Sequence, residues 1–214
     1  MTSPSETDSE RRFAEYLTRS GLSFERDHVV GPTGRNVDFF IHNAVLCDVK
    51  EVREGERTEE EVRGEIITVD RQIRRDIRRL REKFDRPPAL PVVLVTMNYS
   101  DQVFTGQEIV TAMLGDAGWT FAQSEHRVLS EVHHLPRGNA ALTKSHNTAI
   151  SGVLAFDVVL NLHAFFASPF ASIPLQRNFF PDVDHLDIRR SSLSDADPAL
   201  NARTYFSANL TKRT

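Results

Sequence analysis

The chain has 214 residues, 40% of them hydrophobic and 26% charged, which is the composition of a folded globular domain and excludes a disordered or fibrous chain. A net charge of −4 excludes a nucleic-acid binder that works through bulk basicity, though a local basic stripe remains compatible with one. The single cysteine excludes an intramolecular disulfide and a cysteine-built zinc site. The first thirty residues are polar and charged, so no secretory signal is expected. No apolar run reaches the roughly 18 residues that a membrane span needs. The expectation is a cytoplasmic protein with no membrane partner.

Residues 1–8 are small and polar and are expected to be disordered. Asp8 or Ser9 can cap a helix that runs to about Ser20, with Phe13, Tyr16 and Leu17 on one face and Gly21 ending it. Leu22 to Val30 alternates weakly and reads as an edge strand. Gly31-Pro32-Thr33-Gly34 reads as a turn.

Residues 35–52 read as a β-hairpin. Asp38 lies on its first strand, and Asp48 and Lys50 on its second. Directly paired residues of antiparallel strands share a face, and faces alternate along each strand. Pairing 38 with 48 therefore also pairs 39 with 47, 40 with 46 and 41 with 45. His42-Asn43-Ala44 is left as the connection, and Asn43 tolerates the left-handed backbone such a loop needs. In that register Phe39, Ile41, Val45, Cys47 and Val49 form an apolar face suited to packing under a helix. A two-residue turn would put the two acids on opposite faces.

The charged segment after Val52 leads into a strong helical period from about Glu59 to Phe84. Ile66, Val69, Ile73, Ile77, Leu80 and Phe84 hold one face. Arg71, Arg74, Arg75 and Arg78 fall on the other side and are candidates for contact with substrate phosphates, weighed evenly against a solvated face.

Prolines 87, 88 and 91 stop that helix. Val92 to Met97 is a continuous apolar run, expected as a strand at 91–97 buried on both faces. Thr105-Gly106-Gln107-Glu108 is a capping box opening a helix with Ile109, Val110, Met113 and Leu114 inward. Trp119 to Gln123 reads as a short strand. Residues 124–148 read as a polar loop or insertion. Its histidines (126, 133, 134 and 146) lie at no spacing that sets two of them on one helix face beside a carboxylate, so they read as surface residues. Residues 150–160 and 162–167 read as strands, 168–181 as an extended segment crossing the core, and 189–214 as a polar tail.

Asp38 and Asp48 on one sheet face can hold a Mg²⁺ ion, with Mn²⁺ as a substitute, and the carbonyl of Val49 can add a ligand. Lys50 points the same way as Asp48. Between two acids it keeps its charge, which suits orienting an attacking hydroxide or binding a phosphate oxygen. Asp-x-Lys by itself is a common surface tripeptide, and its bland reading is a surface ion pair of little energetic weight.

The order is a helix, a strand, a hairpin carrying Asp38 and then Asp48-Val49-Lys50, a long helix and a buried strand. Over residues 9–97 it resembles the PD-(D/E)XK nuclease superfamily. Val37 stands where a proline commonly precedes the first acid. The resemblance implies an α/β fold, a mixed sheet flanked by helices with a restriction-endonuclease-like core, over a single domain at 9–188. It implies a metal-dependent endonuclease in which Asp38 and Asp48 bind the metal and Lys50 is catalytic. Glu15 on the first helix is implied as a further catalytic and metal-binding residue, and Gln72 as an accessory group. DNA is favoured over RNA as substrate on the same ground. A single such site cuts one strand, so double-strand cleavage implies a homodimer. The alternative is a nuclease fold that binds nucleic acid or a protein without cutting.

Overall fold

The computed structural model describes residues 6–32, 34–52, 69–99, 106–115, 117–124, 127–134, 140–158 and 162–188. Expectations for residues 1–5, for the helical period before Val69, for the Thr105 cap, for His126 and for the tail at 189–214 lie outside them.

Helix α1 (Asp8–Arg19) starts one residue earlier than the Asp8 or Ser9 cap implies. Its N-cap is Thr7, whose side chain accepts from the Glu10 N–H while the Glu10 carboxylate takes the Thr7 N–H. Phe13, Tyr16 and Leu17 are buried as their spacing requires, and Gly21 follows with φ of 71°. Strands β1 (Phe24–Val30), β2 (Arg35–Ile41) and β3 (Val45–Val52) form an antiparallel meander. Helix α2 (Val69–Glu82) then leads to β4 (Val92–Asn98), which lies parallel to β3. After α3 (Gly106–Leu114), strands β5 (Ala117–Ser124) and β6 (Arg127–His134) pair only with each other. Strand β7 (Ile150–Asp157) is parallel to β4, β8 (Leu162–Ala167) is antiparallel to β7, and β9 (Asp184–Asp187) is parallel to β8.

The result is a mixed α/β architecture around a seven-stranded sheet in the order β1-β2-β3-β4-β7-β8-β9. The strands at its centre explain the continuous apolar runs: every residue of β4 and of β7 is buried. One face packs against α2 and α3, with Ile73, Ile77, Leu80, Ile109 and Met113 over Leu46, Leu94 and Val153. The other packs against α1, with Phe13 and Leu17 over Phe39, Ile41, Cys47, Val95 and Leu154. Cys47 is fully buried on this second face, and burial pushes its thiol pKa well up.

Three expectations change. Residues 127–134 form a strand, not a loop, because strand pairing satisfies the backbone whatever the polarity of the segment. Residues 168–181 turn repeatedly instead of running extended. They drop Phe170 into one core and Leu175 and Phe180 into the other. They also deliver β9, which the sequence pattern does not announce.

Candidate active site

The hairpin has the register that brings its acids together. Phe39 pairs with Cys47, Phe40 with Leu46 and Ile41 with Val45, leaving His42-Asn43-Ala44 as the connection. The turn needs two left-handed residues, His42 (φ 50°) as well as Asn43 (φ 54°). The ladder stops at Phe39 and Cys47. Just beyond it the Asp38 carboxylate, through Oδ2, accepts the Val49 N–H at 2.6 Å. A side chain thus takes the place of a strand partner, and the first acid is tied to the backbone of the strand that carries the second.

Asp48 is fully buried, while the Asp38 side chain keeps 17% of its exposure. Lys50 Nζ lies 2.9 Å from Asp48 Oδ2 and 3.8 Å from Asp38 Oδ2, and donates to the Val49 carbonyl at 3.0 Å. The Asp48 Oδ2 contact has the length of a hydrogen bond but not its direction, so that oxygen is charge-paired without receiving a well-aimed N–H. Lys83, in the turn that closes α2, adds a second ammonium. It contacts Asp48 Oδ1 and lies 4.0 Å from Asp38 Oδ1.

Burial and the neighbouring Asp48 charge raise the Asp38 pKa to about 6, against the pull of Lys50, the Val49 N–H and Lys83. Burial works to lower the Lys50 pKa, but Asp48 and Asp38 outweigh it and the net direction is up, so the lysine stays charged. Asp76, buried on α2, is pushed up to about 6 by desolvation. Arg75, Lys50 and Arg79 pull it back, and Asp48 adds to the push.

The remaining expected residues divide. Glu15 is exposed, its nearest ionic partner is Arg11 at 3.9 Å, and the structure does not bring it to the acids. It lies at the edge of the buried face of α1, where the stripe over the sheet is filled by Phe13, Tyr16 and Leu17. Gln72 donates to the Glu51 carbonyl at 2.7 Å and so pins α2 to the end of β3, one residue beyond Lys50. The arginine stripe also divides. Arg71 and Arg78 are exposed, whereas Arg74 is buried and paired with Asp70 at 2.9 Å. Arg75 is half-buried, with Nε 3.9 Å from Asp76.

Sequence reasoning missed Lys83 and Asp76. Asp76 carried a signal: an acid three residues after Ile73 and four before Leu80 falls on the core-facing stripe. Lys83 carried almost none, because its link to Asp48 spans 35 residues and is tertiary.

Among the described residues no three His, Cys, Asp or Glu side chains gather as a metal cage. The set present is two carboxylates and one carbonyl, all hard oxygens. This suits Mg²⁺, which commonly takes one or two carboxylates and fills its other positions with water and phosphate. Beside the site a groove of about 810 Å³ runs between the β1 edge and residues 84–90. Leu46 and Phe84 line it, but none of the four charged groups does. The chain matches no family model, no curated protein and no solved structure. Among the described residues no helix is long and apolar enough to cross a membrane.

Proposed function

We propose that the chain is a Mg²⁺-dependent phosphodiesterase, an endonuclease on a restriction-endonuclease-like core, with DNA favoured over RNA. The observation that carries this reading is the convergence of Asp38, Asp48 and Lys50, where one ammonium lies within 4 Å of both carboxylates. The order of helix, strand, hairpin, helix and parallel central strand supports the core assignment. The preference for DNA rests on the family resemblance.

Asp38, Asp48 and the Val49 carbonyl are the groups that would hold the metal. Both oxygens of the buried Asp48 face an ammonium, Oδ2 that of Lys50 and Oδ1 that of Lys83, so the carboxylate sits where positive charge is already drawn in. When bound, Mg²⁺ polarises a phosphoryl oxygen and lowers the pKa of a water molecule. The chain's own residues do the rest. Asp48, held rigidly in a central strand, fixes the position of the negative charge. Asp38 is locked to the same strand through the Val49 N–H. Lys50 keeps its proton beside the acids and places a positive charge where a phosphate oxygen or an attacking hydroxide can be oriented. Exposed Arg71 and Arg78 can extend that positive surface along α2 to the phosphate backbone.

The test is cleavage of plasmid, linear duplex, single-stranded DNA and RNA in Mg²⁺, Mn²⁺ or EDTA. Asp38→Asn and Lys50→Ala, each checked for folding by circular dichroism, are run beside the wild type. Metal-dependent cutting lost in both variants is the expected result. Cutting that survives EDTA, or either substitution, refutes the reading. Binding without cutting in all three proteins favours a non-cleaving binder.

A further inference from the structure

The four charges of the site form two bridges on opposite edges of the acid pair. Lys50 spans the two Oδ2 atoms, at 2.9 and 3.8 Å. Lys83 spans the two Oδ1 atoms, in contact with that of Asp48 and 4.0 Å from that of Asp38. Two ammoniums and two carboxylates make a neutral quartet, so the pair of acids is not an unoccupied anionic trap.

The two lysines are held differently. Lys50 is rooted in β3, between the acids it serves, and also donates to the Val49 carbonyl. Lys83 reaches the site from outside the sheet, from the turn after α2, on a flexible four-carbon stem. Its side chain keeps 24% of its exposure, against 30% for Lys50, so both stems reach water while Asp48 is fully buried. What sets Lys83 apart is its attachment outside the sheet. A dication approaching the Oδ1 edge meets the Lys83 charge at about ion-pair distance, where like charges repel strongly even in a partly solvated site. The two cannot share that edge.

We propose that Lys83 is a built-in competitor of the metal: its ammonium occupies the Oδ1 edge of the Asp38–Asp48 pair, and a divalent cation binds there by displacing it. This rests on the reading of the two acids as a metal site. The displacement costs the wild type affinity for the ion, while in its absence the lysine compensates the buried negative charge.

Direct Mn²⁺ binding, followed through the electron paramagnetic resonance signal of the free ion and without nucleic acid, tests the proposal apart from catalysis. The proteins are the wild type, Lys83→Met, Lys83→Gln, Lys83→Arg and Asp48→Asn, each with a thermal melt as a folding control. Removal of the competing charge in Lys83→Met is expected to tighten Mn²⁺ binding by about tenfold or more. Lys83→Arg keeps the charge and is expected to stay within about threefold of the wild type or to bind more weakly. If Lys83→Met does not fold, Lys83→Gln makes the same comparison. Equal or weaker binding by the neutral variants, with Asp48→Asn abolishing it, overturns the role of Lys83 and leaves the metal site standing. No Mn²⁺ binding by any of the proteins overturns both readings.

Discussion

Asp38→Asn removes one negative charge from a pair of acids without changing the shape of the side chain. Burial and Asp48 hold the Asp38 carboxyl at about 6 against an ordinary 3.8, so the folded protein holds this proton more tightly than the unfolded chain does. The stability tied to that proton is complete below about pH 4 and is lost as pH climbs through 6. The difference between 6 and 3.8, at about 1.4 kcal/mol for each pH unit, comes to about 3 kcal/mol. Asparagine can still accept the Val49 N–H but cannot ionise. In EDTA, Asp38→Asn is therefore expected to match the wild type near pH 4 and to exceed it by up to about 3 kcal/mol at pH 7.5. Asp48→Asn should move the other way. That carboxylate is fully buried and pairs with both lysines, and removing one partner of a buried ion pair costs about 3–5 kcal/mol. Urea unfolding at several pH values measures both variants. If Asp38→Asn gains nothing on the wild type between pH 4 and 7.5, or Asp48→Asn is as stable as the wild type, this account of the site's electrostatics is wrong.

Two further substitutions probe the frame and the outer surface. At Gly152 an added Cβ would sit 2.3 Å from the Phe166 carbonyl oxygen and 2.6 Å from the Phe165 ring. Gly152→Ala should cost about 3 kcal/mol, because the oxygen belongs to the facing strand and cannot yield. An unchanged thermal midpoint would show that β7 and β8 do not approach so closely. On α2, replacing exposed Arg71 and Arg78 by alanine should reduce the slope of log K for DNA against log salt by about 2. Arg74→Ala should instead lower stability, since Arg74 is buried against Asp70. A salt slope that stays the same in the Arg71 and Arg78 variants removes α2 from the binding surface.

The hairpin was legible because its information is local. Alternation fixes the faces of β2 and β3, a turn residue that tolerates left-handed backbone fixes the register, and together they put Asp38 and Asp48 side by side. The apolar periods of α1, α2 and β4 were legible for the same reason. What sequence could not supply was the approach of one element to another. Glu15 sits on α1, which covers the sheet face of Phe39, Cys47 and Val49, opposite the face shared by Leu46, Asp48 and Lys50. The sequence could not say which face α1 would take. In the structure it faces solvent. Arg74 and Arg78 lie four apart on one helix, yet one is buried and paired with Asp70 and the other exposed. Lys83 enters the site only because α2 ends where it does. Strand β9 is short and mostly exposed, and its pairing depends on the turns at 169–182.

Cys47 sits between Leu46 and Asp48 on the strand that carries the site, with its thiol on the face turned to α1. It is the only thiol in the chain, fully shielded, and held protonated by burial. A thiol reagent can reach it only when β3 separates from the α1 face or the domain opens. The rate at which the native protein is labelled therefore clocks the opening of the strand that holds Asp48 and Lys50. It needs no engineered probe, and it can be followed as pH, divalent cation or substitutions at Asp38 and Lys83 are changed.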